Sequence, residues 1–274
     1  MDIGLKDKHI LITGASGGIG LELVRAFLIE DTKVTATYNH SRDELDRIQE
    51  NWQKQLAVVK VDVREESEVK SLFEQSQITF GRIDIMVANA GIANHVAAPI
   101  HEMNLKQWQS TMAVNLTGVF LCSKYFVENL VNNQGDYASL ILIGSTAGLF
   151  GEAWFADYAT SKAALHGLMM SVKNEIVHAA KYGRVNLVNP GWTLTPMSEE
   201  VLADSERATR ILQTIPLRKT AVPEDIAGAI LYLASDKLSG HISGQALTVA
   251  GGMEGRVLYS REDLESDVDE MTQQ

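Results

Sequence analysis

One cysteine, Cys122, among 274 residues leaves no intramolecular disulfide to form, and a chain that does without disulfides suits a reducing compartment. Its setting, "GVFLCSKYF", is apolar, which points to a small buried hydrophobe and not to a reactive thiol. Positive charge is also scarce: 24 Lys+Arg stand against 35 Asp+Glu, for a net charge of -11. That balance disfavours a nucleic-acid backbone or an anionic membrane as partner. The stretch "MDIGLKDKHILITG" lacks a basic segment followed by a long apolar run, and no uncharged stretch approaches the roughly 20 residues of a membrane span. Cytoplasm is the expected location. The histidines are scattered, without metal-ligand spacing, so no metal is expected.

What the sequence does have is alternation. Short apolar runs ("HILIT", "KVTATY", "LAVVKVD", "IDIMVANAG", "SLILIGS", "RVNLVNPG", "ALTVAGG") are separated by amphipathic stretches at about Gly18 to Glu30, Arg42 to Gln53, Glu65 to Phe80, Asn104 to Val131, Asp157 to Tyr182 and Pro223 to Ala234. Strands apolar on both faces, alternating with helices, imply parallel βαβ units covered on both sides. The expected fold is α/β and doubly wound, of Rossmann type, with a seven-stranded, mostly parallel sheet. One domain should span residues 1–252, with no internal repeat or linker. A tail over 253–274 follows, carrying seven acidic and two basic side chains from Glu254 onward; its last dozen residues read as solvated. The stretch from about Trp192 to Ala221 reads as a long irregular loop, the length of a functional lid.

After the first strand comes "TGASGGIG", residues 13–20. Glycines at 14, 18 and 20 allow a tight turn, close approach of backbone to a pyrophosphate and close helix–strand packing, and the helix start offers free N–H groups to phosphate. The required context is present, a strand before and a helix after. The spacing is Gly-x-x-x-Gly-x-Gly. With the leading Thr13, the chain here resembles the compact branch of the short-chain dehydrogenase/reductase family, and the resemblance extends over about residues 5 to 252.

That resemblance implies a nicotinamide cofactor held by Gly14, Ser16, Gly17, Gly18, Ile19 and Gly20. Asp62 and Val63 would line the adenine; Asn89, Ala90 and Gly91 ("ANAG") the ribose side. Pro190, Gly191, Trp192, Thr193 and Thr195 ("NPGWTLT") would reach the carboxamide. The end of the second strand, where an acid usually bonds the ribose 2′-hydroxyl, instead reads Tyr38, Asn39, His40, Ser41 and Arg42. Hydroxyl, amide and guanidinium groups suit a 2′-phosphate, so NADP(H) is expected in preference to NAD(H). Gly17 departs from this, because many NADP-preferring relatives carry a basic residue there.

Ser145 ends the fifth strand, and Tyr158 and Lys162 ("YATSK") lie on one face of the next helix. The family resemblance makes Tyr158 the general acid/base, Lys162 its tuner and a ribose ligand, Ser145 the stabiliser of the carbonyl oxygen, and Asn115 the residue that kinks its helix and orders a relay water. Reducing a ketone leaves an alkoxide that must be protonated as it forms. A free tyrosine, with a pKa of about 10, needs help to exchange that proton near neutrality. His95, Phe150, Trp154, Phe155, Trp192 and Met197, with Ser145, are expected to line the substrate pocket, which would suit a hydrophobic or cyclic ketone or alcohol; no motif names the substrate, and a 3-oxoacyl thioester, a sugar or polyol and a steroid-like ring all stay open. Val119, Phe120, Leu165, Met169 and Met170 give their helices more than one apolar face, and the family implies that these helices pair with a second copy, usually within a homotetramer. A non-catalytic NADP(H) sensor and an epimerase or lyase of the extended branch are the rival readings. The four intact catalytic positions count against the first, and the absence of a C-terminal substrate domain against the second.

Overall fold

The computed structural model describes residues 2–93, 97–260 and 262–264. Its strands are β1 (His9–Ile12), β2 (Lys33–Tyr38), β3 (Leu56–Lys60), β4 (Ile85–Ala88), β5 (Tyr137–Ile143), β6 (Tyr182–Pro190) and β7 (Ala246–Val249). They form one sheet in the order β3-β2-β1-β4-β5-β6-β7, every pair parallel. The chain winds outward from β1 to β3, returns to place β4 beside β1, and winds outward again. The carboxyl ends of β1 and β4 therefore border the crevice where ligands bind in such sheets.

The helices are α1 (Gly18–Ile29), α2 (Asp43–Gln49), α3 (Glu66–Phe80), α4 (Leu105–Met112), α5 (Val119–Asn132), α6 (Ala147–Phe150), α7 (Ala156–Glu175), α8 (Glu199–Leu202), α9 (Ser205–Leu212), α10 (Pro223–Ala234) and α11 (Asp236–Ser239). Alternate strand residues feed opposite cores. Leu11, Met86, Leu140 and Leu187 pack with α3, α5 and α7 on one face. Ile10, Ile12, Val87, Ile141 and Val188 pack with α1, α2 and α10 on the other. Cys122 is buried in the first of these cores, and burial pushes its thiol up to about 12.

Three expectations change. The helix expected over Asn104 to Val131 is interrupted by a π-helical turn, Ala113–Gly118, between α4 and α5. The stretch from Trp192 to Ala221 is not irregular, because α8 and α9 lie within it and bury Leu202, Ile211, Leu212 and Ile215 in a third, smaller core. Of the five residues expected to give α5 and α7 a second apolar face, Val119, Leu165 and Met169 are spent in the main core, leaving Phe120 and Met170 outside. Among the described residues no helix is long and apolar enough to cross a membrane, and no group of three or more His, Cys, Asp or Glu could hold a metal ion.

Candidate active site

The glycine turn is built tightly on one side and openly on the other. Gly14 has φ +62°, and a methyl there would lie 2.8 Å from the Ala90 Cα. A methyl on Gly20 would lie 2.2 Å from the Gly14 carbonyl oxygen and 2.7 Å from the Asn89 amide nitrogen. By contrast, a methyl on Gly17, at the start of α1, would meet nothing within 4 Å. No side chain caps α1 and no acid sits in its first turn. Free N–H groups, a positive helix end and open space are what a pyrophosphate requires, so these residues fit a dinucleotide.

The turn is tied to the end of β4. The Thr13 hydroxyl accepts hydrogen bonds from the Asn89 and Ala90 N–H groups at 3.1 and 3.0 Å, and the Asn89 amide donates to the Thr13 and Gly14 carbonyls at 3.1 and 2.8 Å. From the far side, the Thr195 methyl would lie 3.3 Å from a methyl on Gly18, so the segment after β6 faces the same turn. Thr193 differs: its hydroxyl is occupied by the Gly191 carbonyl at 3.0 Å and the residue is buried. The Val63 side chain packs toward Gly118, which leaves only its backbone for a ligand.

Around the expected adenosine end, Arg42 lies 5.7 Å from the Tyr38 ring centre and donates to Asp46 from Nε at 2.8 Å. Ser41 donates to Asp43 at 3.1 Å. Asp62 is held by Arg64, whose Nε lies 2.9 Å from Oδ1. That hydrogen bond holds the Asp62 carboxyl below its ordinary value, with a smaller contribution from the charge of His40.

Asn115 is fully buried in the π-helical turn, a type of distortion that often marks functional sites. Its Oδ1 accepts from the Ile92 N–H at 2.8 Å, and its Nδ2 donates to the Ile92 carbonyl at 2.9 Å and to Ser161 Oγ at 3.1 Å. Ser161 in turn donates to the Tyr158 carbonyl at 2.7 Å. Lys162 is buried, with Nζ donating to the Ile143 carbonyl at 2.8 Å and standing 5.8 Å from the Tyr158 ring centre. A methyl on Gly91 would approach that Nζ to 3.2 Å. Ser145 accepts from the Ala147 N–H at 3.1 Å and lies close enough to Tyr158 to bear on its ionisation. Asn115, Ser145, Tyr158, Lys162 and Gly91 thus share one corner of the crevice.

The electrostatics differ from the expected direction. Burial raises the Tyr158 pKa; the Ser145 hydrogen bond opposes the shift and Glu152 adds to it. Burial alone lowers Lys162 from 10.5 to about 8. In this state Tyr158 is a protonated phenol, and the ammonium expected to lower its pKa pays a desolvation cost of its own.

Of the expected substrate residues, Phe150, Trp154 and Met197 are exposed, Trp154 the most at 60%. Trp154 has φ +67°, rare for a bulky residue, and the Ala98 N–H holds its carbonyl at 2.9 Å. Phe155 is half-buried, and Trp192 packs onto the small core of α8 and α9. His95 lies outside the described residues. Ser161 and Glu152 escaped notice in the sequence. The position of Ser161 directly before Lys162 was a usable signal, whereas nothing local marked Glu152.

The family model described as enoyl-(acyl carrier protein) reductase matches residues 14–254. The chain belongs to the short-chain dehydrogenase/reductase family. It is 35% identical over 253 residues to 3β-hydroxysteroid dehydrogenase 1 of Eggerthella lenta, covering 91% of this chain and 94% of that one. It is 36% identical to a 3-oxoacyl-[acyl-carrier-protein] reductase of Synechocystis sp., covering 89% and 95%. It is 33% identical to an L-rhamnose 1-dehydrogenase (NAD(P)(+)) of Sphingomonas sp., covering 91% and 97%. A short-chain dehydrogenase/reductase crystal structure from Brucella melitensis, titled glucose/ribitol dehydrogenase, superposes with a TM-score of 0.83 at 27% identity, covering 93% of this chain and 99% of that one. The chain is accordingly an oxidoreductase of this family.

Proposed function

We propose that this short-chain dehydrogenase/reductase transfers a hydride between NADP(H) and a hydrophobic or cyclic ketone or secondary alcohol. The carrying observation is that Ser145 and Lys162 both engage the region of Tyr158, at the carboxyl end of β5 and beside Gly91. The cofactor supplies the hydride. Ser145 holds the carbonyl oxygen and stabilises the charge developing on it. Tyr158, protonated at rest, donates its hydroxyl proton to that oxygen. The Lys162 ammonium favours the resulting phenolate, and Asn115 fixes the backbone at Ile92 while orienting Ser161 against the start of α7.

The exposure of the apolar side chains Phe150, Trp154 and Met197 supports a hydrophobic substrate. The relatives' names span a steroid, an acyl-carrier thioester and a sugar, so no single one supplies the substrate. The test is absorbance at 340 nm with NADPH or NADP⁺ across hydrophobic ketones and alcohols, 3-oxoacyl thioesters and sugars. Turnover of a hydrophobic member is expected, and turnover of none would overturn the proposal.

Preference for the 2′-phosphate rests on Arg42, whose pairing with Asp46 already uses part of its donor set. Arg42→Ala is expected to weaken NADPH more than NADH, by about tenfold for a charge-assisted contact. Gly17→Arg has open space to enter and should strengthen NADPH selectively. Wild-type NADH binding equal to or tighter than NADPH binding, by fluorescence titration, would reverse the assignment.

A further inference from the structure

Residues 255–260 and 262–264 lie beyond the family match, which ends at 254, yet they do not leave the body of the protein. Leaving β7, the chain first braces the segment after α9, where the Leu217 N–H donates to the Gly251 carbonyl at 3.1 Å. It then crosses to the other wall of the crevice. Gly255, at φ +71°, passes so close to Phe150 that a methyl there would lie 3.3 Å from the ring. It next returns to the far end of α9, where the Leu258 N–H donates to the Gln213 carbonyl at 2.6 Å and the Gln213 side chain donates to the Tyr259 carbonyl at 3.0 Å. The Tyr259 hydroxyl donates to the Pro216 carbonyl at 2.9 Å, with the Arg218 guanidinium 5.6 Å from its ring centre.

The segment ends in an anchor. The Ser260 N–H and hydroxyl both donate to Asp263 at 3.0 and 2.7 Å, and the Asp263 N–H returns to Ser260 Oγ at 3.3 Å. This closes the short 3₁₀ turn Glu262–Leu264 and directs Leu264, fully buried, among Leu202, Ile211, Leu212 and Ile215. The same small core receives Trp192 and Leu194 from the segment that follows β6. A segment outside the family match is therefore stitched to both sides of the expected substrate entrance: the Phe150 wall, continuous with Ser145 through α6, and the wall of α8 and α9, continuous with Thr195.

We propose that residues 255–260 and 262–264 act as a strap, with Tyr259 and Leu264 as positioning residues that hold the α8–α9 lid against the Phe150 wall and so set how tightly the carbonyl substrate is retained. The proposal rests on the ketone/alcohol reading of the site for its kinetic part. Neither residue touches the reacting atoms, so loosening the strap removes binding shared by ground and transition states, which raises KM and spares kcat.

The experiment uses the full-length chain carrying Leu264→Ala and, as a variant that keeps the ring and removes one hydrogen bond, Tyr259→Phe. Amide hydrogen exchange and steady-state kinetics at saturating NADPH are measured on each. Leu264→Ala should speed exchange across residues 205–217 while α7 stays protected, and raise the carbonyl KM about tenfold with kcat within about twofold. Tyr259→Phe should move both readouts the same way by about threefold. Unchanged lid exchange in both variants would overturn the strap, as would faster exchange with an unchanged KM, which would mark the segment as a structural anchor only. A wild-type enzyme that turned over no carbonyl or alcohol would instead count against the functional reading, and lid exchange would then decide the strap by itself.

Discussion

Tyr158→Phe is expected to lower kcat by about 10²–10⁴-fold, the range for loss of a positioned general acid, with the NADPH dissociation constant nearly unchanged. Phe keeps the ring beside Lys162 and removes only the hydroxyl, on whose ionisation Ser145 bears. The start of α7 is held by Ser161 and Asn115 and not by that hydroxyl, so the fold should survive. Initial rates at 340 nm and a fluorescence titration of NADPH check the two halves. A kcat within about tenfold of wild type would remove Tyr158 from the role of proton donor. Lost cofactor binding would mark it as structural.

The same chemistry fixes a pH dependence. Lys162 must carry its proton to favour the phenolate, and burial places its pKa at about 8. For ketone reduction kcat/KM should be flat below pH 8 and fall as pH rises through it. Stability moves the other way. The folded pKa lies below the unfolded value of 10.5, so between these values the unfolded chain binds more protons and Lys162 makes unfolding less favourable as pH rises. The cost of burying the ammonium is fully present below pH 8, where catalysis uses it. A rate profile with no break between pH 7 and 9 would argue against an essential ammonium.

Gly20→Ala is expected to damage fold and binding together. The added methyl would meet the Gly14 carbonyl oxygen at 2.2 Å and the Asn89 amide at 2.7 Å, both part of the bracing between β1 and β4. Neither contact is the free end of a flexible side chain, so α1 must move away from the turn. Overpacking of this kind costs about 2 kcal/mol or more, about 4–8 °C in Tm for a chain of this size. NADPH affinity should fall more than tenfold because the N–H groups that meet the pyrophosphate ride on the displaced helix. Calorimetry and titration check both effects, and an unchanged Tm would mean that the turn has slack.

The strands were legible because their residues obey a short period: Ile10, Leu11 and Ile12 are apolar in succession since both faces of the sheet are covered. Pro223–Ala234 was legible to the residue, with Pro at its start and a run of apolar side chains after it. The break at Ala113–Gly118 was not legible in its form, because a π-helical turn differs from an α-helix by one hydrogen-bond step that no residue pattern announces. Nor were α8 and α9. Their apolar residues are few, and the small core that buries them draws on Trp192, Leu194 and, far along the chain, Leu264. The tail's acidic composition concealed that contact, since one leucine among carboxylates reads as solvent-facing until its partners are known.

By itself the sequence determined the doubly wound sheet and the glycine turn and supplied Asn115, Ser145, Tyr158 and Lys162 as candidates, because each depends on local spacing or on residue types that tertiary context cannot supply. Only the tertiary structure decided how those groups stand. Burial raises Tyr158 and lowers Lys162, Asp46 engages Arg42, and Leu264 folds onto the lid. These depend on which distant atoms exclude water from a group and which reach it, and that is a property of packing rather than of sequence order.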